Sequence, residues 1–162
     1  MFELKPLSPD AVPRALAKAE RYRLLNEPNE AQSICLDVLA ADPGNQDALT
    51  TMLLALTDQF VSDRSAVHEA QTLVSRLKDE YERAYYTGIV FERETRAYLE
   101  RKNVVRSAAY DGFRHAMEWY ERAEALRPPG NVDAVLRWNS CVRAIEREKL
   151  EPGEHEPELP LE

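Results

Sequence analysis

Asp111, His115 and Glu118 stand four and then three residues apart. That spacing sets three potential metal ligands on one face of a helix, since His and carboxylate groups bind divalent ions. The same spacing is ordinary on a solvated helix surface. A helical metal site also draws ligands from a second helix, and no matching set is apparent. His68 and His155 have no convincing partners, and neither Cys35 nor Cys141 has an adjacent His to activate its thiol. Gly44, Gly88, Gly112, Gly130 and Gly153 are isolated, so no glycine loop cradles a phosphate. The expectation is a non-enzymatic protein with no catalytic residues, no metal and no cofactor. A small metal-binding helical enzyme built on Asp111, His115 and Glu118 is the weaker competing reading.

A second pattern offers binding chemistry. Tyr81, Tyr85, Tyr86, Phe91 and Tyr98 lie among Arg83, Arg93, Arg96, Arg101 and Arg106, and bases stack on aromatic rings between basic side chains. An RNA-binding helical array through this half is therefore an alternative reading. Against it, the formal net charge of the chain is −8, which disfavours phosphate backbones. The charge is uneven: residues 1–82 carry −6, residues 83–149 carry +3, and residues 150–162 carry −5. The competing expectation is that Tyr85 and Phe91 pack internally while the arginines pair with Glu92, Glu94 and Glu100.

The elements that must position these groups read as helices. Hydrophobic residues make up 44% of the 162, only 5 are glycine, and Ala, Leu, Glu and Arg are plentiful. An all-α fold follows. Residues 1–9 read as an irregular lead-in, 10–149 as one helical domain, and 150–162, "EPGEHEPELPLE" after Leu150, as an acidic tail with little to bury, expected to be disordered. Both cysteines fall on apolar helix faces and read as buried free thiols. The start lacks an export signal, and no stretch approaches the length of about 20 apolar residues that spans a bilayer. The expected location is cytoplasmic, without membrane contact.

Seven helices are expected. Asp10 would cap the first, which ends at Asn26, a residue able to take a left-handed backbone. The second runs from Pro28 to about Ala41. The third carries Ala48, Leu49, Met52, Leu53 and Leu56, and the fourth Ala66, Val67, Ala70, Val74 and Leu77. The fifth spans about Tyr81 to Lys102. Its second half is strongly charged and reads as projecting partly into solvent, with Glu92 and Arg96 one turn apart. The sixth spans about Val104 to Leu126, and the seventh runs to about Lys149 with Val135, Trp138, Val142 and Ile145 inward.

Two joints are nearly identical: PGNQDAL from Pro43 and PGNVDAV from Pro129. In each, Pro stops one helix, Gly serves the turn, and Asn followed by Asp can cap and charge the next helix start. Three helices also share one internal pattern, with Ala31, Cys35 and Val38 matching Ala70, Val74 and Leu77, and again Ala116, Tyr120 and Ala123. A small residue followed one turn later by a larger one lets helices approach closely. Self-similarity of this kind marks a repeat array.

On these residues the chain resembles the tetratricopeptide repeat family, with degenerate repeats, over about Asp10 to Lys149. Ala19, Tyr22, Ala31 and Pro43 fit the first hairpin. Gly88, Phe91, Ala116, Tyr120, Ala123 and Pro129 fit the third. The middle hairpin departs, with Leu53 where a small residue is usual, and the third is longer by roughly 16 residues than the usual repeat of about 34. The resemblance implies a right-handed α-α superhelix of about three hairpins plus a C-terminal capping helix. It also implies a groove that holds a peptide or partner helix. The residues placed on that groove are Arg23, Thr50, Tyr85, Ile89 and Glu92, with Asn139 and Arg143 at the capping end. The expected role is an adaptor for a protein or peptide partner, with self-association into a homodimer as a variant.

Overall fold

A computed structural model describes residues 1–154, and within these every regular element is helical. The helices are α1 (Val12–Leu24), α2 (Pro28–Ala41), α3 (Gln46–Thr57), α4 (Ser65–Val74), α5 (Glu80–Leu99), α6 (Arg106–Leu126) and α7 (Asp133–Glu148), preceded by a single 3₁₀ turn at Pro9–Ala11. Each helix packs on the next, and α1 also packs on α3 and α3 on α5. One large apolar cluster runs from Ala19 to Leu150, and a smaller one joins Val12, Val38 and Ala48. Among the described residues no helix is long and apolar enough to cross a membrane.

Local signals explain most boundaries. Asn45 caps α3, its Oδ1 accepting from the Ala48 amide at 2.9 Å. Asp79 does the same for α5 through the Glu82 amide. Asn26 has φ of 60° and closes α1: the Glu27 amide donates to the Tyr22 carbonyl and the Asn26 amide to that of Arg23. That is the paired bond pattern of a left-handed helix terminus. Asp10, expected to cap α1, lies instead inside the 3₁₀ turn, and Ala11 occupies the cap without a side-chain bond.

The two similar joints fold differently. Asn131 does not cap α7 as Asn45 caps α3. Its Oδ1 accepts from the Asp133 amide two residues on and from the Tyr81 hydroxyl, so the side chain closes a short turn and the helix starts later. Gly130 has φ of 81°, whereas Gly44 shows no positive φ. The joints are alike in position and not in geometry.

The longest pair, α5 and α6, is fastened by two glycines. A Cβ on Gly88 would stand 2.6 Å from the Tyr120 ring, and one on Gly112 would stand 2.2 Å from Thr95 Oγ1. With any other residue at either position the facing side chain would have to shift. Gly88 of α5 and Tyr120 of α6, placed separately on the two helices of the third hairpin from the sequence, are thus in direct helix-to-helix contact. Ala19, Ala31, Ala116 and Ala123 are all fully buried, while Pro43 and Pro129 are exposed at the joints.

Three sequence expectations are corrected. The charged half of α5 does not project into solvent: Glu92, Thr95 and Ala97 are buried there. The fully buried stripe of α7 is Ala134, Cys141 and Ala144, whereas Trp138, Val142 and Ile145 are half-buried and pack against the core beside it, and Val135 is half-buried. The helical unit extends past Lys149, because Leu150 is buried and its amide donates to the Ile145 carbonyl. The expectation of disorder over 155–162 falls outside the described residues.

Candidate partner-binding surface

Two polar clusters tie the odd-numbered helices, one joining α1, the end of α3 and α5, the other joining α5 and α7. Arg23, near the end of α1, donates through Nε and Nη2 to Asp58, at 2.8 and 3.3 Å. Asp58 follows directly on α3. Its Oδ1 also accepts from Arg93 of α5 at 2.8 Å. Three residues along α5, Arg96 donates to Glu92 and to Ser140 of α7, both at 2.9 Å. Arg137 of α7 holds Glu92 with two bonds, 3.0 Å to Oε2 and 2.6 Å to Oε1. Arginine reaches a carboxylate this way because its planar donors match two oxygens at once.

Glu92 is the centre of this arrangement. It is 0% exposed, and the Tyr120 hydroxyl of α6 donates to its Oε2 at 2.6 Å. A buried carboxylate is tolerable only with such pairing. Among the described residues no buried side-chain nitrogen or oxygen lacks a hydrogen-bond partner. The Tyr120 phenol is pushed far up, first by burial and then by the Glu92 charge. Cys141 is pushed up to about 12 for the same two reasons, and burial raises Cys35 to about 11. Both thiols are buried and free.

Beside these clusters lies an aromatic step. Tyr81 and Tyr85 stack at 5.9 Å, and Tyr85 meets the Tyr86 ring edge-on at 5.1 Å. Thr50 sits next to Tyr86 and is half-buried. Burial, followed by the Asp79 and Asp47 charges, raises the Glu82 carboxyl, so the starts of α3 and α5 bring three acids together.

No protein-family model, curated protein or solved structure matches this chain.

The seven residues placed on a groove from the sequence have different fates. Arg23, Thr50 and Tyr85 are half-buried on α1, α3 and α5. Asn139 is half-buried and Arg143 exposed on α7, and neither side chain meets a bonding partner among the described residues. Ile89 is 5% exposed and Glu92 fully enclosed, so neither is open to a partner. Glu92 holds the surface arginines from beneath. Arg93 pairs with Asp58 rather than with Glu94 or Glu100.

Asp58, Arg137 and Ser140 were missed by sequence reasoning. A signal existed for Arg137: it occupies one position of the 3-4-3 spaced series Ala134, Arg137, Cys141, Ala144. A charge on a stripe of small residues has to find an internal partner. Asp58 had no such signal, because a lone acid after an apolar helix is ordinary.

The candidate metal trio does not converge. Asp111, His115 and Glu118 are all exposed on α6. Asp111 and His115 line a cleft of about 330 Å³ between α5 and α6, with Phe91, Tyr98 and Arg101, and Glu118 lies outside it. Phe91 leans on the His115 ring at 5.7 Å. Among the described residues no group of three His, Cys, Asp or Glu side chains could hold a metal ion.

Proposed function

We propose that the protein is a non-catalytic interaction module, a tetratricopeptide-like stack of helical hairpins that docks a peptide or partner helix against α1, α3, α5 and α7. One observation carries this reading: two polar clusters, Arg23–Asp58–Arg93 and Arg96–Glu92–Arg137, meet on α5 and between them reach from the first to the last odd-numbered helix. The packing of α1 on α3 and of α3 on α5 supports it, since in a stack of hairpins the first helix of each neighbours the first helix of the next. A surface assembled from four helices and held by paired charges is pre-organised, which lowers the entropic cost of binding.

The test is crosslinking of a captured partner. Wild-type protein and a Tyr85→Ala/Asn139→Ala variant, both checked for helical content, are incubated with lysate of the source cells. Partners retained only by wild type, with crosslinks falling on α1, α3, α5 and α7, are the expected result. Crosslinks confined to α2, α4 and α6, or equal retention by the variant, would remove this surface from consideration.

A further inference from the structure

We infer that the occupant of this surface is an acidic peptide segment, an inference that rests on the docking reading above. Four guanidinium groups share two carboxylates. The side chains of Arg23, Arg93, Arg96 and Arg137 are 27, 37, 29 and 33% exposed, whereas those of Asp58 and Glu92 are 18 and 0% exposed. Glu92 lies wholly beneath its two arginines, and Asp58 is less exposed than either of its own. The patch therefore presents a local excess of positive charge on a chain whose formal charge is −8.

The arginines also retain donors. Arg23, Arg96 and Arg137 bond through Nε and Nη2, and Arg93 through Nη2 alone. The Nη1 groups of all four make no bond among the described residues, and each arginine carries donors beyond those in use. A carboxylate is the planar, two-oxygen acceptor that such donors fit. Because Asp58 and Glu92 already hold the guanidiniums in place, little side-chain entropy remains to be lost on binding.

A nucleic acid offers the same kind of negative charge but fits less well. Asp47, Asp79 and Glu82 gather at the starts of α3 and α5, and Asp133 of α7 lies close enough to bear on the Tyr85 phenol. A strand with a charge on every nucleotide would meet these acids as it left the arginines. A peptide can confine its carboxylates to the arginine end and lay apolar side chains on Tyr85 and Tyr86.

The experiment pans a random 12-residue peptide library against the full chain, beside a single-stranded 12-nucleotide RNA. The expected peptides are rich in Asp and Glu. Their affinity should fall at least tenfold in Arg93→Ala, which leaves Arg23 on Asp58, and should fall in wild type as salt rises from about 50 to 500 mM. The salt series keeps the test decisive should the variant fold poorly. Neutral or basic peptides whose binding depends on Tyr85 would overturn the acidic assignment and leave the docking surface standing. Recovery of no peptide would overturn both. RNA bound more tightly than the acidic peptides would overturn the peptide assignment in favour of a nucleic acid.

Discussion

Glu92 Oε1 and Arg137 Nη2 lie 2.6 Å apart between α5 and α7, with the carboxylate wholly enclosed and the guanidinium reaching the surface. The pair joins the last helix to α5, and Arg96 and Tyr120 complete the carboxylate's coordination. It is both a structural tie and the support of the proposed binding patch.

Replacing Glu92 by Gln keeps the shape and removes the charge that two arginines share. Loss of one member of a buried pair costs about 3–5 kcal/mol. Because Arg96 and Arg137 remain about a third exposed, solvent screens part of that, and about 2–4 kcal/mol is expected. Chemical denaturation would measure it. A Glu92→Leu/Arg137→Met pair should recover only part of the loss, since Arg137 no longer lacks its partner but Arg96 and the buried Tyr120 hydroxyl still lose the carboxylate. A single substitution within ~0.5 kcal/mol of wild type would show that the enclosure is looser than the geometry implies.

Gly112 and Thr95 give a sharper test of helix approach. Gly112→Ala adds a Cβ 2.2 Å from Thr95 Oγ1, so overpacking of about 1–3 kcal/mol should outweigh the gain of about 1 kcal/mol from helix propensity. In a Thr95→Ala background Oγ1 and Cγ2 are gone and only the Cβ remains close, at 3.2 Å, so the penalty should shrink. Additive losses in the double mutant would show that the two residues do not meet.

The helices were legible because apolar spacing and turn residues are local signals, and Asn26, Pro28 and Asn45 behave as their chemistry dictates. What was not legible depended on distant partners. Nothing near Asp58 in the chain announces Arg23 or Arg93, each 35 residues away. Glu92 sits one turn from Arg96 and looked like a solvated pair. Its burial follows from α6 and α7 closing over it, with Tyr120 and Arg137 arriving from 28 and 45 residues along. The stripe of α7 was misplaced because Trp138 and Ile145 are more hydrophobic than Ala134 and Cys141. Close helix packing selected the smaller residues.

Lys149 ends α7 at φ of 50°, a left-handed conformation that a residue with a Cβ adopts at some cost. Its amide and that of Leu150 donate back to Glu146 and Ile145, and Leu150 is buried as a result. Glycine belongs at this position. Relief of a left-handed penalty of about 1–2 kcal/mol, less the entropic cost of glycine of about 0.5–1 kcal/mol, should leave Lys149→Gly modestly stabilising. A lower thermal midpoint would mean that the Lys149 side chain contributes more than its backbone costs.

Alkaline pH should loosen the fold while leaving neutral stability flat. Cys35 and Cys141 are raised from 9.0 to about 11 and about 12, in each case chiefly by burial. In the unfolded chain both return to ordinary values. Between those values and the folded ones, the folded state holds protons that the unfolded state has released, so stability falls as pH rises. The stabilising contribution is complete below about pH 9 and is lost progressively through pH 11 to 12. Tyr85 and Tyr120, also raised by burial, act in the same direction. Urea midpoints should thus be level from pH 7 to about 8.5 and decline above it, and a thiol reagent at pH 8 should react with neither cysteine until denaturant is added. Rapid labelling of the native protein would show that α2 or α7 opens readily and that the buried thiols are not held as the structure places them.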